Sequence, residues 1–305
     1  EFDRLETYAK LQAPPVIKFK DLEAFVSNHK LLTGPIFPFD VRTDFVKVTD
    51  DTVLVPITIE IKNRNVTFKG KDGVSKGVVN IFGRVSTITD RVVQTFEDTV
   101  AVEQPTELLP KTLNNEDLYW KALPLRPGRY RLDIAIKDVN NPDHVGVYAQ
   151  GINVPRYNDD QLSASSLILA DKMERVPSKQ IGTGSFIIGS TYIRPRVSAN
   201  ATAPAVFHRN QNLNFWMQVY NLGINQKNKQ NDAKITYEII DSSTHKMLLD
   251  TSENSHTLGA NMDQLTIEKS VPLASLQPGK YQVKIMVDDS ISKQEIAQSA
   301  PFTVE

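Results

Sequence analysis

The 305 residues carry 35 Lys and Arg against 36 Asp and Glu, a formal net charge of −1 that offers no basic footprint for a phosphate backbone. Hydrophobic residues make up 40% and charged residues 23%, which marks a globular chain long enough for two domains rather than a disordered one. No cysteine is present, so disulfides, thiolate metal sites, Fe–S clusters and cysteine nucleophiles are excluded together.

Phe2, Leu5 and Tyr8 have helical spacing, and Pro14-Pro15 ends it. A helix this short is marginal alone, so residues 1–15 read as an N-terminal arm or linker. Residue 1 is Glu, which reads as a mature or trimmed start, so the lack of a leader carries no weight. No apolar run approaches the ~20 residues a membrane-spanning helix needs.

From there the dominant pattern is period two. Val53, Val55, Ile57, Ile59 and Ile61 alternate with Leu54, Pro56, Thr58, Glu60 and Lys62. Tyr130 to Ile136, Leu213 to Val219 and Tyr281 to Val287 alternate in the same way. Each run predicts a half-buried strand, and their shortness and turn-rich spacing predict an all-β chain. Pro56 cannot donate to a ladder, so its strand is expected at an edge or a bulge.

A repeat organises the chain. Leu125-Arg126-Pro127-Gly128-Arg129-Tyr130 recurs as Leu276-Gln277-Pro278-Gly279-Lys280-Tyr281, and both copies reach an Asp, Asp138 and Asp289, eight residues after the Tyr. Pro-Gly suits a type II turn, and the Tyr resembles the tyrosine corner of Ig-like sandwiches. Each copy is followed by one more strand, Val145 to Val154 and Gln298 to Val304. The reading is two tandem antiparallel Ig-like or fibronectin-III-like β-sandwich domains, 16–157 and 158–305, after a short N-terminal arm. Residues 158–185, with Leu167-Ile168-Leu169, Pro177 and Gly182-Thr183-Gly184, are either a linker or part of the second.

Several stretches together resemble a known family. They are Pro38-Phe39-Asp40-Val41-Arg42-Thr43-Asp44-Phe45, Val79-Asn80-Ile81-Phe82-Gly83-Arg84 and Gln94-Thr95-Phe96-Glu97-Asp98. To these are added Leu167-Ile168-Leu169-Ala170-Asp171 and the run from Phe215-Trp216-Met217 through Tyr220-Asn221-Leu222-Gly223. They resemble the β-rich C-terminal region of bacterial GWxTD-domain proteins. The Gly-Trp-x-Thr-Asp motif itself is absent, so the match is to the companion region. The resemblance implies secretion across an inner membrane and brings no catalytic residues.

Tests for chemistry assign no catalytic, cofactor-binding or metal-binding residue. His29, His144, His208, His245 and His256 have no i, i+4 pairing around a Glu and read as surface or loop residues. Ser185 lacks the Gly-x-Ser-x-Gly strand-to-helix context, and Gly182-x-Gly184 lacks the third Gly of a dinucleotide loop. Asp138-Val139-Asn140-Asn141-Pro142-Asp143 has oxygen ligands but no EF-hand Gly or closing Glu, so a polar turn explains it better. Asp50-Asp51 and Asp288-Asp289 read as loop residues, and Arg194-Pro195-Arg196 as a solvated strand end. Asn65-Val66-Thr67 and Asn200-Ala201-Thr202 match a glycosylation pattern, which has little weight given the bacterial source that the resemblance implies.

Three functions remain. The first is a non-catalytic, extracytoplasmic (periplasmic, cell-surface or secreted) structural or protein-interaction module that self-assembles into a layer or filament through strand edges and the arm. The second is a carbohydrate-binding accessory of a secreted enzyme, with polysaccharide as its ligand. It expects an exposed Trp120 or Trp216, the latter sharing a strand face with Tyr220. The third is a cryptic hydrolase with a carboxylate pair in a cleft. No cofactor, nucleic acid or membrane span is expected.

Overall fold

The computed structural model describes residues 17–27, 36–181, 184–198, 204–259 and 263–305. The arm expected over 1–15, His29, Gly182-Thr183 and the Asn200 motif lie outside the described residues. The described chain opens with helix α1 (Lys20–Ser27) and strands β1 (Asp40–Thr43), β2 (Val46–Thr49), β3 (Thr52–Lys62), β4 (Lys69–Lys71), β5 (Val74–Thr87) and β6 (Val92–Pro105). Then come β7 (Glu116–Leu125), β8 (Gly128–Asp138), β9 (Val145–Val154), β10 (Ser163–Ala164), β11 (Ile168–Arg175), β12 (Ile187–Ile188) and β13 (Thr191–Pro195). The last are β14 (Ala205–Phe207), β15 (Asn212–Tyr220), β16 (Ala233–Asp241), β17 (Met247–Asn254), β18 (Leu265–Pro272), β19 (Gly279–Asp289) and β20 (Gln294–Val304). Among the described residues the chain is all-β and its sheets are antiparallel, save that β14 pairs β20 in parallel and an isolated Ile36–Val145 bridge is parallel too.

Contacts gather the chain into two compact units. The first holds Lys62–Asn115 and Arg129–Ile152 with the described part of the first 38 residues; the second holds Phe39–Ile61, Glu116–Gly128 and Asn153–Glu305. Residues 39–61 and 116–128 thus group with the C-terminal half.

In the first unit, β5 pairs β6 from Val74↔Pro105 to Ser86↔Val92, and pairs β8 from Val79↔Asp138 to Thr87↔Tyr130. Helix α1 rests on this sheet. Its Leu22 and Val26, one turn apart, bury against Phe82, Ala135 and Val145. Asp21 and Glu23 lie in its first turn, where the helix dipole favours anions. The backbone N–H groups of Lys18 and Phe19, just before the helix, donate to the Glu97 carboxylate at 2.9 and 2.7 Å.

In the second unit, two sheets share one core. β15 and β18 supply Leu213, Phe215, Met217, Val219, Leu265 and Ile267 from one sheet; Ile235, Tyr237, Val283, Ile285, Phe302 and Val304 come from the other. Fully burying an aliphatic side chain of this size stabilises the fold by about 1.5–3 kcal/mol. Residues 158–185, left open by the sequence, place β10 and β11 in the sheet of β15.

Three local expectations need correction. β3 is not an edge strand: β1, β2 and β7 all pair with it. The hairpin ladder stops between Thr43↔Ile57 and Val46↔Leu54, where Pro56 has no N–H to give, although Asp44 N–H still donates to the Pro56 carbonyl at 3.0 Å. β3 and β15 are also not half-buried. Thr58 and Glu60 are buried beside the Val and Ile set, and Trp216 beside Phe215 and Met217. Such strands sit inside the protein with both faces covered.

The third correction concerns the repeat. Its Gly begins β8 and β19, and one strand, β9 or β20, follows each. There is no type II turn: Gly128 is nearly extended at φ 156 and Gly279 does not have the positive φ that turn requires. The Pro-Gly bend runs straight into the strand. Tyr281 does make the corner contact, its buried hydroxyl donating to the Gln277 carbonyl at 2.6 Å while its ring stacks 5.5 Å from Phe302. Tyr130 is half-buried.

Candidate functional site

The two sheets of the second unit end side by side in β17 and β18. β17 closes the order β14-β20-β19-β16-β17, and β18 flanks β15 on the side away from β10 and β11. Between them lies a cleft of about 160 Å³, with Phe215, Tyr237, Leu249 and Val271 as its apolar lining and Thr251 and Ser270 at its wall. Lys269 of β18 reaches Glu253 of β17 at 2.6 Å, so one ion pair spans the opening. Tyr237 donates its hydroxyl to the same carboxylate at 2.6 Å, and the Lys269 ammonium stands 5.4 Å from the Tyr237 ring centroid.

Burial, reinforced by Glu253, holds the Tyr237 hydroxyl well above its usual range, so it stays a proton donor. β17 carries a bulge between the pairings of Ile239 and Ile240, and Met247 and Leu248 beside it are 44% and 41% exposed. Bulges and charges are how edge strands avoid indiscriminate pairing. The arrangement offers backbone groups along two terminal strands, a small apolar floor and a charged clasp.

A second cluster corrects the reading of Arg194 and Arg196 as solvated. Arg196 pairs with Glu116, lies 3.7 Å from Asp171 Oδ2 and donates through Nε to the Val206 carbonyl at 3.2 Å. Arg194 Nε lies 3.9 Å from Asp171 Oδ1, and its Nη2 donates to the Glu116 carbonyl at 3.5 Å. Asp171 is the extra residue of a β-bulge between Ala170↔Pro195 and Lys172↔Arg194, which turns its carboxyl toward both guanidinium groups. Burial pushes the Asp171 and Asp117 carboxyls up, against the lowering pull of Arg194 on both.

Other residues singled out in the sequence have plainer positions. Trp216 is buried against Ile168, Ala170 and Ile193, and Tyr220 is buried with its hydroxyl accepting from Lys47 N–H at 3.0 Å, so this pair forms no exposed stripe. Trp120 is half-buried. His208, His245 and His256 are exposed, and His144 packs 4.8 Å from the Phe37 ring. Ser185 sits in a turn that leads directly into strand β12 and not into a helix. Asp138 serves the turn after its strand: its oxygens accept from Thr67 N–H at 2.7 Å and Asn140 N–H at 2.9 Å. Among the described residues, no group of three or more His, Cys, Asp or Glu could hold a metal. Asp289 is no loop residue but the buried end of β19. Asp50 and Asp51 do form an exposed turn.

The Glu253–Lys269–Tyr237 group escaped sequence reading because its members stand on three strands whose register no local pattern reveals. The Asp171 bulge left no sequence signal beyond the neighbouring apolar run.

No family model matches the chain, and no curated protein does. Among solved structures, red sea bream transglutaminase is similar with a TM-score of 0.23 and 9% identity, over 95% of this chain and 34% of that one. Parabacteroides merdae β-glucuronidase is similar with a TM-score of 0.28 and 9% identity, over 85% of this chain and 28% of that one. The chain spans about a third or less of the length of either protein. No described helix is long and apolar enough to cross a membrane.

Proposed function

We propose that this chain is a non-catalytic, extracytoplasmic structural and protein-interaction module. It would be built as tandem Ig-like or fibronectin-III-like sandwiches of the kind found in the β-rich region of GWxTD-domain proteins. Its partner is another protein or a second copy of itself, engaged through strand edges together with the N-terminal segment. The observation that carries this reading is the β17–β18 opening, where two terminal strands flank an apolar floor and expose Met247 and Leu248 beside it. Backbone pairing at such an edge supplies affinity, and the side chains beside it supply selectivity.

The experiment is molar mass by light scattering over a wide concentration range, with Leu248→Lys and a chain lacking residues 1–15 as variants. Concentration-dependent growth that Leu248→Lys suppresses supports the edge. Growth lost on removing residues 1–15 assigns the donor segment. A monomer mass at every concentration overturns self-assembly, and failure to bind any protein of the same cell envelope then overturns the interaction reading altogether.

A further inference from the structure

Away from that opening, three aromatic side chains of the second unit stand in a row. The Trp120 and Phe186 ring centroids are 5.9 Å apart with planes at 35°, and those of Phe186 and Tyr192 are 6.0 Å apart at 60°. All three are half-buried, so each keeps part of its surface in water. At the far end the Lys172 ammonium lies 5.7 Å from the Tyr192 centroid and pairs with Glu174 at 3.3 Å.

The middle ring is the informative one. Phe186 has φ 65, a left-handed backbone conformation that a bulky residue rarely adopts. Its carbonyl accepts from Ile193 N–H at 2.7 Å, which fixes the geometry. Trp120 packs against the small core of Ile168, Ile188, Ile193 and Trp216, but Phe186 is not among the described side chains that do. Backbone strain kept for a part-exposed ring held between two other part-exposed aromatics points to work at the surface.

We propose that Trp120, Phe186 and Tyr192 form a binding platform for the pyranose rings of a neutral polysaccharide, with Lys172 and Glu174 hydrogen-bonding its hydroxyls. Aromatic faces match the C–H face of a sugar ring, and their polar ends tolerate the water around it. Lys172 and Glu174 offer a donor and an acceptor with no net charge, which suits an uncharged glycan. The row is far smaller than the roughly 1,000 Å² a stable protein interface buries. Single-stranded nucleic acid would want a positive groove beside the rings, and here Lys172 pairs with Glu174 and Arg194 faces Asp171. The platform is independent of the β17–β18 opening, so either can fail alone.

The test is native-gel affinity electrophoresis of the full chain in hydroxyethylcellulose, galactomannan and dextran, with melting temperatures in parallel. At least one polymer should retard the wild-type chain, and Trp120→Ala and Phe186→Gly should each weaken that retardation at least tenfold. Trp120→Ala also removes core contacts, so Phe186→Gly is the deciding variant. Glycine suits the left-handed backbone but gives up the ring's contacts with Trp120 and Tyr192, so this variant should stay folded at the assay temperature while melting lower than the wild type. Free migration of the wild-type chain in all three polymers overturns the proposal. So does a Phe186→Gly chain that binds normally, or one that loses binding only because it is unfolded at the assay temperature.

Discussion

Asp138 and Asp289 make the same contacts at the ends of two different strands. Each is fully buried, and each takes the backbone N–H two residues on with Oδ1, from Asn140 at 2.9 Å and Ile291 at 3.0 Å. Each also takes a backbone N–H from a distant loop with Oδ2, from Thr67 at 2.7 Å and Gly223 at 2.6 Å. The carboxylate therefore ties a strand end, the turn after it and a remote segment together.

Replacing either Asp by Asn presents an amide NH₂ where one carboxylate oxygen accepted, and leaves a buried N–H without a partner. Each such group costs roughly 1–3 kcal/mol. Asp289→Asn and Asp138→Asn should both lower stability by about that amount in urea denaturation. Wild-type stability in either variant would show that the shared contact contributes nothing.

Gly223 serves the second of these clamps. A Cβ there would lie 2.8 Å from both the Ser292 nitrogen and the Ile291 Cβ, and the former is backbone that cannot swing aside. Gly223→Ala should destabilise by about 1–3 kcal/mol, as overpacking does. Because it displaces the donor to Asp289, its effect should be less than additive with Asp289→Asn in a double-mutant cycle.

Gly83 is paired directly with Phe96 across β5 and β6, and the Phe96 ring lies over it. A Cβ at Gly83 would stand 2.0 Å from Phe96 Cζ. Gly83→Ala should therefore destabilise the first unit by about 1–3 kcal/mol, and adding Phe96→Ala should recover part of that loss. A fully additive pair of losses would separate the two residues energetically.

Asp117 and Asp171 make stability depend on pH in an unusual direction. Burial raises both carboxyls above the unfolded value, so the folded chain holds protons that the unfolded chain has lost. Their contribution is therefore fully present only below the ordinary carboxylate value of about 4 and is lost as pH rises from there through the folded values. Asp117 Oδ2 has no hydrogen-bond partner among the described residues. Asp117→Asn should flatten the fall in melting temperature as pH rises above the ordinary carboxylate value of about 4, measured by calorimetry. An unchanged slope would remove Asp117 from the account.

The sequence by itself determined the all-β character, because period-two runs such as Tyr281 to Val287 permit only strands, and it marked β8 and β19 through their shared Pro-Gly-x-Tyr. Alternation says which residues share a face, not whether the opposite face is covered. Trp216 and Thr58 consequently looked available in the sequence and are buried in the structure. The same limit hid the Tyr237–Glu253–Lys269 clasp and the Trp120–Phe186–Tyr192 row, whose members lie on strands and a turn far apart in the chain. Register, bulges and a left-handed backbone at a bulky residue are settled by long-range packing, so only the tertiary structure could bring those side chains together.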